Sequence, residues 1–233
     1  MHPPEQGRYR QRGRIRRRAT IAVVPGYDSS TALLVVDVQN DFTDPAGSLY
    51  VSGGEEVVPF ISAEIDSAVT AGAPIFYTQD WHPARTPHFL TDGGIWPVHC
   101  VQGSWGAELH TGLRLEGATV RKGTNGEDGY SGFTMRDPVS GETVPTELAD
   151  LLAAASVTRL VVCGLATEYC VKATALDARG HGYPTTVLQD GIRAVDLEPG
   201  DGDRALEEML AAGVRLESRG VPTRMPPVPG MSD

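Results

Sequence analysis

At 233 residues, the chain is long enough to form one α/β domain with a continuous hydrophobic core. Its hydrophobic fraction of 40% and charged fraction of 21% are ordinary for a globular protein. It contains no apolar run of the roughly 18 residues that a membrane span needs and no secretory signal, so we expect no membrane partner.

Charge is distributed unevenly along the chain. Residues 1–18 contain seven arginines and one acidic residue, whereas the remaining residues carry a net charge of −16. An acidic body repels phosphate backbones, so we expect no nucleic-acid partner. We interpret residues 1–30 as a disordered, Arg-rich N-terminal extension; binding to an anionic surface and a transit peptide are the alternatives.

In chain order, the pattern predicts alternating strands and helices. The predicted elements are a strand at 32–37, a helix at 55–71, a strand at 74–78, a strand at 118–121, a helix at 145–155, a strand at 159–163, a helix at 168–180, a strand at 184–188, a helix at 201–212 and a strand at 214–217. This alternation predicts a Rossmann-like three-layer α/β sandwich, with a mostly parallel sheet and helices on both faces. The domain spans residues 31–219, and the Pro-rich tail at 220–233 is predicted to be disordered.

In such folds, ligands bind beyond the carboxyl ends of the strands. This rule points to Asp37, the loop at 79–100, Lys122 and the turn at 164–170. Four separate segments are therefore expected to meet at one edge of the sheet.

Cys170 falls in the first turn of the predicted helix at 168–180. The free N–H groups and the dipole at a helix N-terminus favour a thiolate and can bind a developing oxyanion. Alternatively, Cys170 is a small apolar residue packed between helix and sheet. For the other two cysteines, Cys100 and Cys163, packing is the favoured interpretation. An odd count of three argues against a disulfide framework and predicts a cytoplasmic location.

A thiol nucleophile needs a base and a counter-charge. Asp37 ends the first strand, and Lys122, one of only two lysines, follows the strand at 118–121. In an Asp–Lys–Cys group, Asp37 would accept the thiol proton while Lys122 tunes the carboxylate and the sulfur. Each residue alone is weak evidence, because acidic residues often cap turns and lysines are usually solvated.

The loop after the strand at 74–78 contains a second group of candidate residues. Asp80, His82, His88 and His99 supply one carboxylate and three imidazoles within twenty residues. Such donors suit Zn, Fe or Mn ions. Spacing alone leaves open the alternative of polar loop residues with local hydrogen bonds.

Five sets of short motifs lie along about residues 31–218. They are Asp37-Val-Gln-Asn-Asp-Phe42; Gln79-Asp-Trp-His-Pro83 with His88-Phe89; Trp96-Pro-Val-His-Cys-Val-Gln-Gly103 with Gly106-Ala107 and His110; Lys122-Gly123 with Tyr130-Ser-Gly-Phe133; and Gly164-Leu-Ala-Thr-Glu-Tyr-Cys-Val171 with Thr174-Ala-Leu-Asp-Ala178. In this order and spacing, they resemble the cysteine hydrolases of the isochorismatase-like superfamily and, within it, the nicotinamidases (pyrazinamidases). Agreement among several segments is more specific than one short motif.

The resemblance implies a role for each matching residue. The catalytic triad would be Asp37, Lys122 and Cys170. The ligands of one divalent metal ion, zinc ahead of iron or manganese, would be Asp80, His82 and His99, with His88 as a further ligand in some members. The aromatic lining of the pocket would be Phe42, Trp96 and Tyr130. The oxyanion hole would be formed by the amides of Ala166 and Cys170, after a cis Leu165–Ala166 bond.

The resemblance also implies an activity, namely hydrolysis of nicotinamide to nicotinate and ammonia through a cysteine thioester, with pyrazinamide as a further substrate. The expected partner is a small aromatic amide, and the chain could form a homo-oligomer. An alternative keeps the triad but acts on another small amide, a carbamoyl compound, ureidoacrylate or an enol ether such as isochorismate. Metal-free branches lack the ligand set, so a bound metal discriminates between them. A binding protein on the same fold would need a lost nucleophile or base, and both are present.

Two residues depart from the common family pattern. Glu168 stands where aspartate is commoner, and Tyr169 where some relatives have histidine. Neither matches a catalytic position, so both bear on fine specificity only.

Overall fold

The structure is a computed structural model that describes residues 26–220. The predicted Arg-rich extension up to residue 25 and the predicted tail from residue 221 lie outside the described residues. Over residues 26–220, no helix is both long enough and apolar enough to cross a membrane.

Six parallel strands form the central sheet, in the order β3-β2-β1-β6-β7-β8. These strands are β1 (Thr31–Val36), β2 (Ile75–Asp80), β3 (Ala118–Lys122), β6 (Arg159–Leu165), β7 (Thr185–Arg193) and β8 (Arg215–Glu217). The remaining two, β4 (Thr134–Arg136) and β5 (Thr143–Pro145), form a separate antiparallel hairpin. The α/β fold with a mostly parallel sheet is confirmed.

Helices cover both faces of the sheet, and the central strand β1 is therefore buried on both sides. Alternate residues of β1 belong to different hydrophobic clusters, Leu33 and Val35 to one and Leu34 and Val36 to the other. The first cluster includes α2 (Val57–Thr70), and the second includes residues of α3 (Leu148–Ala154), α4 (Lys172–Gly180) and α5 (Asp201–Ala211). This gives the predicted three layers.

Several predicted boundaries are wrong, and most errors fall beside irregular backbone. The helix predicted at 168–180 begins as a π-helical turn, Thr167–Val171, before α4 starts. The strand predicted at 184–188 extends to Arg193, because β7 continues past a register shift opposite β6. The short helix α1 (Asn40–Thr43) and the β4–β5 hairpin were not predicted, since neither has a hydrophobic repeat.

Gly164 allows β1 and β6 to approach closely at the edge that carries the candidate site. Its φ is +124°, and a Cβ atom there would lie 2.0 Å from the Val36 carbonyl oxygen. Only glycine fits both this backbone conformation and this contact.

Gly164→Ala should therefore lower the free energy of unfolding by roughly 2–4 kcal/mol, since it adds backbone strain and a clash. Urea denaturation measures the change. The matched control is Gly180→Ala in α4, where a Cβ meets no atom within 4 Å. Equal stability of the two variants would contradict this account of Gly164.

Candidate active site

Three predicted residues meet at the carboxyl edge of the sheet. The Lys122 Nζ lies 2.9 Å from Asp37 Oδ2 and 3.5 Å from Cys170 Sγ. It also donates a hydrogen bond to Asp80 Oδ1. Lys122 is the last residue of the edge strand β3. Its long side chain passes Asp80, at the end of β2, and reaches Asp37, which follows β1. All four residues are buried, and the structure thus brings the predicted Asp–Lys–Cys group together.

Asp37 is held in position by both its backbone and its carboxylate. It follows β1 with φ +49°, a left-handed conformation that Asp tolerates better than most residues. The Thr78 hydroxyl donates to Asp37 Oδ1 at 2.6 Å. Burial raises the pKa of the Asp37 carboxyl, although neighbouring Lys122 opposes this effect. A carboxylate with a raised pKa is a better proton acceptor.

Burial also raises the pKa of the Cys170 thiol well above its ordinary value, and the nearby Lys122 ammonium only partly offsets it. The expectation that a helix N-terminus would favour the thiolate is therefore wrong. Desolvation of the sulfur is the largest effect on this pKa because the side chain is buried. The thiol keeps its proton and needs a base, and one carboxylate oxygen of Asp37 lies within 4.8 Å of Cys170 Sγ.

Opposing effects act on the other two ionised groups. Burial would lower the pKa of Lys122, but Asp37 and Asp80 outweigh it and raise this pKa well above its ordinary value. Burial would raise the pKa of Asp80, but Lys122, His82 and His99 together lower it to about 2. Lys122 and Asp80 are therefore both ionised at neutral pH.

The backbone before Cys170 turns sharply. The Leu165–Ala166 peptide is cis, as the resemblance implies. The Ala166 carbonyl accepts hydrogen bonds from the amides of Tyr169 and Val171, at 3.2 and 3.1 Å. This turn places Cys170 in the wall of a cleft.

The cleft has an aromatic lining and, together with its open mouth, measures about 450 Å³. Phe42, Trp96 and Tyr130 line it as predicted, and Ala166 and Cys170 lie in its wall. The indole Nε1 of Trp96 donates to the Tyr130 hydroxyl at 3.1 Å. This apolar and aromatic lining suits a small, flat ring.

Some lining residues were missed by the sequence reasoning. The Tyr169 ring lies 5.0 Å from that of Trp96 and 5.2 Å from that of Tyr130, so it completes the aromatic wall. Its position next to Cys170 was a usable signal. Val195 also lines the cleft, from the segment after β7, and no motif marked it. Leu49 and Val51 were missed for the same reason.

Three imidazoles gather next to the cleft. One ring nitrogen from each of His82, His88 and His99 lies within 4.8 Å of the others. The second oxygen of Asp80, Oδ2, lies 4.0 Å from His82 Nε2 and 3.9 Å from His99 Nε2. The structure thus groups all four predicted ligands.

The hydrogen bonds of these histidines fit a metal ion. The Nδ1 of His99 lies 2.7 Å from the Pro97 carbonyl oxygen and therefore carries the proton, which leaves Nε2 free to bind. Neither ring nitrogen of His82 has a hydrogen-bond partner among the described residues, although both are buried. Burial lowers the pKa of His82 to about 4 and also lowers that of His99. Neutral imidazoles beside a carboxylate fit a divalent ion such as zinc.

Gly123 leaves the space for this cluster. It follows Lys122 with φ +77°, and a Cβ atom there would lie 2.5 Å from the His82 ring. The Lys122-Gly123 pair therefore serves both groups: the lysine reaches the triad, and the glycine makes room for a ligand.

Comparison with known proteins places this site in a family. The Isochorismatase domain matches residues 31–219, and the chain belongs to this family of hydrolases. The nicotinamidase of Escherichia coli is 39% identical over 203 residues, which cover 79% of this chain and 93% of that protein.

Two solved structures are also similar. The pyrazinamidase of Pyrococcus horikoshii in complex with zinc is 39% identical, with a TM-score of 0.73 over 81% of this chain and 99% of that one. PnC1 from L. infantum in complex with nicotinate is 39% identical, with a TM-score of 0.74 over 83% and 96%. The family resemblance seen in the sequence is confirmed.

Replacing the hydroxyl that orients Asp37 should weaken the fold. Thr78→Val keeps the shape of the side chain but removes the donor to a buried carboxylate, so we expect a loss of about 2 kcal/mol in urea unfolding. Thr119→Val, in the neighbouring strand β3, is the control and should change stability by less than about 0.5 kcal/mol. An unchanged free energy of unfolding in Thr78→Val would mean that this hydrogen bond does not hold Asp37.

Proposed function

We propose that the protein is a metal-dependent nicotinamidase that hydrolyses nicotinamide to nicotinate and ammonia. The observation that carries this proposal is the convergence of Asp37, Lys122 and Cys170 in one buried group at an aromatic cleft beside three histidines. Several nicotinamidases among the relatives support the same substrate. The alternative substrates of the wider superfamily are not favoured.

Asp37 starts the reaction by accepting the proton of the Cys170 thiol. The freed sulfur then adds to the amide carbon and forms a tetrahedral adduct. Lys122 stays protonated throughout and holds the Asp37 carboxylate and the sulfur within reach of each other. The raised pKa of Asp37 reduces the gap between this acid and the thiol, which makes the first transfer easier.

The backbone amides of Ala166 and Cys170 donate to the oxyanion, each contributing roughly 3 kcal/mol. Asp37 passes the proton to the departing nitrogen, so ammonia leaves and a thioester remains on Cys170. Asp37 then takes a proton from water, which attacks the thioester. Nicotinic acid leaves and gives its proton to solvent to form nicotinate, while the proton held by Asp37 returns to the sulfur.

Asp80, His82 and His99 would hold the divalent ion, with His88 as a fourth ligand, and zinc is the ion we propose. A bound ion would supply a Lewis acid beside the cleft. The zinc-bound pyrazinamidase relative and the histidine group of this chain support a divalent metal. The aromatic wall of Phe42, Trp96 and Tyr130 would hold the ring on its other sides.

Cys170→Ala should lower the rate of ammonia release from nicotinamide by at least about 10⁴-fold, because no other thiol lines the cleft described for residues 26–220. Metal content, measured by elemental analysis, should stay unchanged. Cys163→Ala is the matched control: this thiol is buried in β6 and should be dispensable for turnover. Residual turnover near the wild-type rate in Cys170→Ala would remove the thioester from the mechanism.

His82→Ala should lose bound metal and raise the Michaelis constant for nicotinamide at least about tenfold, because it removes a buried imidazole that has no hydrogen-bond partner among the described residues and can give one nitrogen to the ion. Chelation of the wild-type protein should have the same effect, and added Zn²⁺ should reverse it. His110→Ala, outside the histidine group, is the control. Unchanged kinetics after complete chelation would show that the metal does not act in catalysis.

A further inference from the structure

Asp128, in the loop between β3 and β4, contacts the imidazole of His88. Its Oδ1 lies 2.8 Å from the Nδ1 of His88. Its Oδ2 accepts a hydrogen bond from Arg136 at 3.1 Å. The proposed mechanism gives Asp128 no role, and no sequence motif marked it.

This contact decides which nitrogen of His88 can bind an ion. A carboxylate accepts hydrogen bonds, so Nδ1 must carry the proton and Nε2 keeps its lone pair. A carboxylate partner also makes the opposite nitrogen a better donor to a metal. The three imidazoles differ in this respect: His99 bonds to a backbone carbonyl, His88 to a carboxylate, and His82 to no described residue.

Backbone hydrogen bonds connect Asp128 to Arg136, the last residue of β4 in the β4–β5 hairpin. The Asp128 amide donates to the Arg136 carbonyl at 2.8 Å, and the Arg136 amide donates back at 2.6 Å. The Gly129 amide also donates to Asp128 Oδ1 at 2.8 Å. With its backbone and both oxygens engaged, the carboxylate keeps one orientation toward His88.

We propose that Asp128 is a positioning residue that fixes His88 as a metal ligand, and that the β4–β5 hairpin holds it there. This inference rests on the metal site of the proposed function. It goes further, because it names a residue outside the proposed ligand set that orients one of the ligands. It also gives the hairpin, which stands apart from the central sheet, a part in the site.

A purely structural role is the competing explanation, in which Asp128 only forms an ion pair with Arg136 of the hairpin. Arg136→Met separates the two roles, since it removes the ion pair and leaves the contact with His88. Asp128→Asn keeps an acceptor of similar shape without the charge, whereas Asp128→Ala removes the acceptor. Asp92→Asn is the matched control, because Asp92 accepts from Arg85 in the same loop as His88 and contacts no imidazole.

The test measures the dissociation constant for Zn²⁺ of the full chain after metal removal, by competition with a chelating dye and without substrate. We expect Asp128→Ala to weaken binding by roughly 10–100-fold and Asp128→Asn by less. Arg136→Met and Asp92→Asn should stay within about threefold of wild type. His88→Ala should weaken binding at least as much as Asp128→Ala, and the double variant should lose no more than His88→Ala alone.

Wild-type affinity in Asp128→Ala would overturn the proposal, as would losses that multiply in the double variant. A loss in Arg136→Met equal to that in Asp128→Ala would assign the effect to the hairpin ion pair instead. If Asp128→Ala does not fold, Asp128→Asn and Arg136→Met still decide between the two roles. If the zinc affinities follow the expected order but the wild-type protein releases no ammonia from nicotinamide, the proposed function is wrong and this inference still holds. A wild-type chain that binds no zinc would overturn the metal site and this inference together.

Discussion

A buried ammonium group between two carboxylates is the interaction on which the site depends. Lys122 contacts Asp37, Asp80 and the sulfur of Cys170, and all four residues are buried. Removing any one of these charges from water is costly, so each is tolerated only because the others are present. The three parallel strands that carry Lys122, Asp80 and Asp37 must therefore keep their register for the site to exist.

Asp80 links the catalytic group to the histidine group. One of its oxygens accepts from Lys122, and the other lies about 4 Å from ring nitrogens of His82 and His99. With Asp37 and Asp80 ionised, Lys122 balances only one of the two negative charges, and a divalent cation would more than offset the other. The Asp80 carboxylate therefore lies between the Lys122 ammonium, which contacts Cys170, and the proposed ion, and it interacts with both positive charges.

Strand topology predicted two residues of the site, and the family resemblance supplied others that lie on loops, such as His88 and Trp96. Asp37 and Lys122 lie at strand ends, where the topology of a parallel sheet brings polar residues together. Asp128, Tyr169 and Val195 come from a loop, a π-helical turn and the segment after β7, where no repeat fixes side-chain direction. The pKa of Cys170 was predicted in the wrong direction because burial depends on packing, which a local helix argument omits. The cytoplasmic location and a homo-oligomer stay predictions.

The choice of lysine at position 122 follows from the same packing. The chain has eighteen arginines and only two lysines, and the other lysine, Lys172, pairs with Glu208 near the surface. An ammonium offers three N–H donors, and Lys122 has three partners: it donates hydrogen bonds to Asp80 Oδ1 and Cys170 Sγ and forms an ion pair with Asp37 Oδ2. A guanidinium would bring five donors in a rigid plane and leave two unpaired in a buried space, at a cost of about 1–3 kcal/mol each. A compact cation is therefore required where a carboxylate from each of two strands and a thiol must touch one positive charge.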